Sequence, residues 1–108
     1  MKLFLVTRAD LSAGQQAVQA AHALREFTAL HPEVDRQWYQ TSNTLAFLAA
    51  KNEEALGMLC AKAERLGFPT APFYEPDRGN ELTAVAFGPA CQRILSHLPL
   101  ALRCIDAA

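Results

Sequence analysis

Apolar residues follow two rhythms along this chain, and the alternation between them predicts its elements. From Lys2 to Thr7, Leu, Phe and Val follow one another until the polar Arg8-Ala9-Asp10 segment, as in a largely buried strand. Ser12 then offers a hydroxyl as helix N-cap, and Gln15 three residues on completes a capping box. A helix is expected from Ala13 to Leu30, ending at His31 because the residue before Pro32 is pushed out of helical dihedrals. Glu33 to Gln40 reads as a connection carrying Trp38 and Tyr39, and Thr44 to Ala50 has the apolar density of a second strand. Asn52 caps the next helix, with Glu53 and Glu54 in its first turn, where negative charge complements the macrodipole. Leu56, Leu59, Cys60, Ala63 and Leu66 recur there at helical spacing, and Gly67 sits where a terminating glycine belongs.

Thr70 to Glu75 reads as a strand for the edge of a sheet, since Pro72 has no amide to donate to a second neighbour. Glu75 to Asn80 is a turn by composition. Leu82 to Phe87 is a strand broken by Gly88-Pro89, and Ala90 to His97 a short closing helix. Strands alternating with helices predict an α/β fold, a mixed sheet covered by helices. With 108 residues and no repeat or linker, the chain is expected to form one domain over residues 1–108.

On the first helix, at about 100° per residue, Gln15, Gln19, His22 and Glu26 fall within an arc of roughly 60°. Ala17, Ala20, Ala21, Leu24 and Phe27 occupy the other side, which is expected to pack on the sheet. The polar arc is either a solvated face or a ligand-facing stripe of long amides and an imidazole, which can both donate and accept hydrogen bonds. The free amides opening this helix, with Arg8, could hold an anion such as a phosphate, and Gly14 would let a ligand approach the backbone. No GxGxxG or Walker spacing is present, so a nucleotide cofactor is not expected.

Composition narrows the classes. Half of the residues are apolar and a fifth charged, as in an ordinary globular protein. A formal net charge of −1 supplies no global pull toward nucleic acid. Any RNA contact needs a local basic set, for which Arg8, Arg78 and Lys51 or Arg25 are the candidates. Cys60, Cys91 and Cys104 are odd in number and lack a CxxC pattern, so buried thiols are expected rather than disulfides or a metal site. The short apolar run before Arg8 is far below the roughly 20 residues that span a bilayer, which predicts no membrane segment and a cytoplasmic location.

The segment Arg8-x-Asp10-Leu11-x-x-Gly14-x-x-Ala17-x-Gln19-x-x-His22-Ala23 resembles the opening motif of type 2 peptidyl-tRNA hydrolases. Leu82-Thr83-Ala84-Val85-Ala86-Phe87-Gly88-Pro89 resembles that family's last strand, and the order of elements between them also fits. The resemblance implies a four-stranded mixed β-sheet between helices, no cofactor, and in several members a homodimer. It implies cleavage of the ester that joins a peptidyl or acyl group to tRNA. It also implies catalytic roles for Asp77, Thr83, His22 and Gln19, and substrate contacts from Arg8, Asp10, Gly14, Gln15, Glu75 and Arg78.

Asp77 opens an Asp-x-Gly turn as the family's catalytic aspartate does, but the segment from there to Thr83 is shorter than in better-known members, so Glu75 is a rival. Gln15 stands where the family has a lysine, which marks a divergent member. Chemically, Asp77 or Glu75 would be the base for a water, Thr83 would orient that water or bind the acyl carbonyl, and His22 would donate or shuttle a proton. Two other classes compete: a non-catalytic module that binds tRNA or another phosphate-bearing ligand, and an interaction protein on the same fold.

Overall fold

The structure, a computed structural model, describes residues 1–103, so the expectation for Cys104 lies outside it. The strands are β1 (Lys2–Arg8), β2 (Thr44–Ala50), β3 (Thr70–Glu75) and β4 (Glu81–Phe87). The helices are α1 (Ala13–Leu30), α2 (Pro32–Thr41), α3 (Glu53–Arg65) and the short α4 (Gln92–Leu95), with single 3₁₀ turns at Pro76–Arg78 and Pro89–Cys91. The sheet runs in the order β2-β1-β4-β3. β1 and β2 are parallel, and the other two pairs are antiparallel. A parallel pair needs a crossover, which α1 and α2 supply.

Local signals explain most of these elements. Ser12 Oγ accepts the Gln15 amide while Gln15 Oε1 accepts the Ser12 amide, so the capping box is complete. Asn52 Oδ1 caps α3 through the Ala55 amide, and Gly67 leaves that helix with φ of 76°. β3 lies at the sheet edge, where Pro72 withholds no needed ladder bond.

Three expectations are corrected. Residues 33–40, expected as a connection, belong to α2: Pro32 ends α1 and also starts the next helix at its first turn, where Glu33 and Asp35 complement the dipole. The expected helix over Ala90–His97 is instead a 3₁₀ turn followed by the four residues of α4.

The third correction concerns the face of α1. Ala17 and Ala21 are exposed, and the buried stripe is Gln16, Gln19, Ala20, Ala23 and Phe27. Alanine gains little from burial. A glutamine can be buried when its amide is satisfied, as Gln16 is by the Leu11 carbonyl at 2.9 Å and the Leu102 amide at 3.0 Å.

The sheet therefore has a core on each face. Leu3, Leu5, Ala84 and Ala86 meet Ala20, Ala23 and Phe27 of α1 and Trp38 of α2. Phe4, Val6, Val85 and Phe87 meet Leu56, Cys60 and Ala63 of α3, with Leu95. Full burial of a side chain such as Phe27 stabilises the fold by about 1.5–3 kcal/mol. Burial pushes the Cys60 and Cys91 thiols up to about 11, so both stay protonated at neutral pH. Among the described residues, no helix is long and apolar enough to cross a membrane.

Candidate active site

β1 ends, β4 begins and β3 ends at one end of the sheet, and an irregularity in β4 shapes the chemistry there. Pairing passes from Phe73↔Ala84 to Tyr74↔Leu82, so Thr83 is an extra residue opposite β3. Such a bulge interrupts the strict alternation of faces. Ala84 packs toward α1, and Thr83 also reaches α1, donating from Oγ1 to Gln19 Oε1 at 2.7 Å. The Gln19 amide then points its nitrogen at Glu75 and donates to Oε1 at 2.8 Å. Three segments, separated by 64 and 56 residues, are joined in one chain of hydrogen bonds.

Glu75 terminates β3, and its second oxygen accepts the Asp77 amide at 3.2 Å, capping the 3₁₀ turn. The return toward β4 passes through Gly79, whose φ of 65° favours glycine. The Gln19 hydrogen bond, helped by the Asp77 amide and by nearby His22 and Arg78, holds the Glu75 carboxyl below its ordinary range. One turn along α1 from Gln19, the exposed His22 ring stacks on Phe73 at 4.5 Å with a 10° interplanar angle.

Gln19, His22, Glu75 and Thr83 are thus gathered. Asp77 lies beside them, but among the described residues its exposed carboxylate has no hydrogen bond or ion pair, and only its backbone amide is engaged. Thr83 is fully buried. Its hydroxyl is engaged with the Gln19 side chain and holds the orientation of that amide.

The other expected residues have different surroundings. Arg8, 6% exposed, donates from its guanidinium to both Asp10 oxygens at 3.0 and 2.9 Å, to Glu81 Oε1 at 2.8 Å and to the Leu82 carbonyl at 3.2 Å. Four of its five donors are committed, which leaves one for the expected phosphate contact. Asp10 is likewise committed, and Arg8 lowers the pKa of both Asp10 and Glu81. Arg78, half-buried, donates to Glu81 at 3.3 Å. Gln15 is exposed and engaged in its capping box. A Cβ on Gly14 would meet no atom within 4 Å, so the protein's own packing does not require glycine there.

The two motifs that meet at Gln19 and Thr83 lie at opposite ends of one chain-long pattern. The family model described as peptidyl-tRNA hydrolase PTH2 matches residues 1–104. The chain belongs to this family. A curated relative, a peptidyl-tRNA hydrolase of Thermococcus onnurineus (strain NA1), is 33% identical over 113 residues, covering 92% of this chain and 96% of the relative.

Against that family background, sequence reasoning missed Thr7, Phe73 and Glu81, and read Glu53 only as a helix-end charge. Thr7 Oγ1 donates to the Thr83 carbonyl at 3.0 Å, and Glu53 Oε2 accepts the Leu82 amide at 2.9 Å. Their partners are 76 and 29 positions away, and no local spacing signals such pairs. A groove of about 420 Å³ against α3, lined by Ala50, Lys51, Met58, Lys62 and His97 among others, shares no residue with the Gln19 cluster.

Proposed function

We propose that this chain is a peptidyl-tRNA hydrolase that cleaves the ester between a peptidyl or acyl group and tRNA, with Glu75 rather than Asp77 as its functional carboxylate. The single observation that carries the reading is the Thr83–Gln19–Glu75 hydrogen-bonded chain, which unites both family motifs at one carboxylate.

Held below its ordinary range, Glu75 is ionised at neutral pH and can accept a proton. In the reaction it takes a proton from a water as that oxygen bonds the ester carbonyl carbon. The carbon–oxygen bond to the ribose then breaks, and the proton passes from Glu75 to the departing ribose oxygen. His22 and the second Gln19 amide hydrogen are the nearby donors for the developing oxyanion. A carboxylate of depressed pKa is a weak base, and Gln15 supplies no cation, so turnover is expected to be slow.

With Arg8 committed to carboxylates, phosphate contacts fall to Arg78, Lys51 and Arg25, of which the last two are exposed. The reading extends to a divergent, cytoplasmic protein acting as one domain and as a homodimer. Light scattering on the purified protein measures the last point.

The decisive experiment is single-turnover release of N-acetyl-aminoacyl group from tRNA by wild type, Glu75→Gln and Asp77→Asn. Glu75→Gln should lose on the order of 10²–10⁴ in rate, as expected for removal of a general base, while Asp77→Asn stays close to wild type. The reverse ranking would return the role to Asp77. No release by wild type, with tRNA still bound, would exclude hydrolysis.

A further inference from the structure

The bulge that turns Thr83 toward α1 shifts the register between β3 and β4, and the pairing of β4 with β1 reaches no further than Ala84, so the peptide groups at this end of β4 need other partners. Long-range side chains supply them. The Leu82 amide donates to Glu53 Oε2 at 2.9 Å, the Leu82 carbonyl accepts from Arg8 Nη1 at 3.2 Å, and the Thr83 carbonyl accepts from Thr7 Oγ1 at 3.0 Å. Glu53 is the first residue of α3, on the opposite side of the sheet from Gln19. Glu54 beside it has the same charge and also lies in the first turn, yet among the described residues it holds no hydrogen bond. The macrodipole would favour both carboxylates alike, so it does not account for the reach of Glu53 across to β4.

The alternative to the bulge is a regular strand. There, side chains alternate strictly, and with Ala84 facing α1 its neighbour Thr83 would face α3, out of reach of Gln19. A partner that grips the Leu82 peptide from the α3 side opposes that slip. We propose that Glu53 is a positioning residue for the hydrolytic site: by accepting the Leu82 amide it fixes the β4 bulge, and with it the aim of the Thr83 hydroxyl at Gln19 and of Gln19 at Glu75. This inference rests on the hydrolase reading for its kinetic readout and is independent of it for its spectroscopic one.

The kinetic test is a double-mutant cycle in single-turnover release, using Glu53→Ala, Thr83→Val and the double variant, with Glu54→Ala as control. Glu53→Ala should slow release about tenfold without changing tRNA affinity, and the double variant should be no slower than Thr83→Val alone. Glu53→Gln, which keeps an oxygen at the same reach, should recover most of the rate, and Glu54→Ala should stay within about twofold of wild type. Effects of Glu53→Ala and Thr83→Val that multiply, or a loss in Glu54→Ala equal to that in Glu53→Ala, would overturn the proposal.

The second readout is NMR of the Gln19 side-chain amide and the Thr83 methyl. Both should shift in Glu53→Ala and stay in place in Glu54→Ala. Unmoved signals in folded Glu53→Ala overturn the proposal whether or not the protein hydrolyses tRNA. Moved signals with an inactive wild type sink the hydrolase reading and leave the positioning role standing. Should the alanine variant not fold, Glu53→Asp, which keeps the charge and withdraws the oxygen by one methylene, takes its place with the same expected shifts.

Discussion

Two polar clusters occupy the same end of the sheet, one on each face, and they use hydrogen bonds in opposite ways. Toward α3, the buried Arg8 spends four donors on Asp10, Glu81 and the Leu82 carbonyl. Its charge is balanced and its geometry is filled. Toward α1, Glu75 is a carboxylate held mainly by a neutral amide, and among the described residues it has one hydrogen bond to each oxygen and no salt bridge. A carboxylate oxygen has room for more than one donor, so this cluster can still engage a water. On the proposed reading, the dense ion network is the scaffold of this site and the sparsely bonded carboxylate carries its chemistry.

The strongest attempt to break that distinction is Gln19→Leu. It leaves the Thr83 hydroxyl without its best acceptor and removes the largest cause of the low Glu75 pKa. Single-turnover release should fall on the order of 10²-fold, comparable to loss of one preorganised donor. The base must be ionised, so the rate falls as pH drops through its pKa. In wild type that acid limb should lie below the ordinary carboxylate value of 4.5, and in Gln19→Leu the residual activity should show it moved upward. An unmoved limb would mean that Glu75 is not the titrating group.

A smaller effect on rate, and a larger one on stability, is expected on the other face. Asp10→Ala strips two hydrogen bonds from a buried guanidinium. Because Asp10 is itself half exposed, the loss should be about 1–3 kcal/mol in urea denaturation at pH 7, with release at 25 °C falling far less than in Gln19→Leu. The folded pKa of Asp10 is depressed below its ordinary 3.8. Its contribution is therefore complete above that value and is lost as pH falls through the folded one, so the wild-type and Asp10→Ala midpoints should converge on acidification. A gap that persisted well below pH 3.8 would show that the pair is not what Asp10 contributes.

The smallest change is at Gln15, on the same helix as Gln19 but exposed. Gln15→Lys removes one arm of the capping box, which should cost under about 1 kcal/mol. It also adds a cation near the proposed site, and release should rise several-fold, since a charge-assisted hydrogen bond is roughly twice as strong as a neutral one. A rate that does not rise would indicate that the site has no need of charge at this position.

The sequence was most legible where structure is decided locally. Caps at Ser12 and Asn52 and the glycine after α3 fixed the helix ends, because each acts within a few residues. Pro32 was read as a stop and not also as a start, since one residue serves both roles. The face of α1 was misread because polarity was taken as exposure, whereas Gln19 is buried against partners from distant segments and Gln16 against the nearby Leu11 carbonyl and the distant Leu102 amide. Within the site, the motifs brought Gln19 and Thr83 into view. The proposed preference for Glu75 over Asp77 needed the backbone, because Glu75, at the end of β3, reaches Gln19 of α1, whereas Asp77 lies in the turn after it.

The central strands of the sheet are far apart in the chain: β1 lies between β2 and β4, and β4 begins only at Glu81. During synthesis, β1 can pair with β2 once residues 44–50 have emerged, but its other edge stays bare until most of the polypeptide exists. A product cut short before Glu81 would expose that bare edge and would carry Gln19 and Glu75 without Thr83 to align them. In this architecture the site cannot be aligned before β4 has been made.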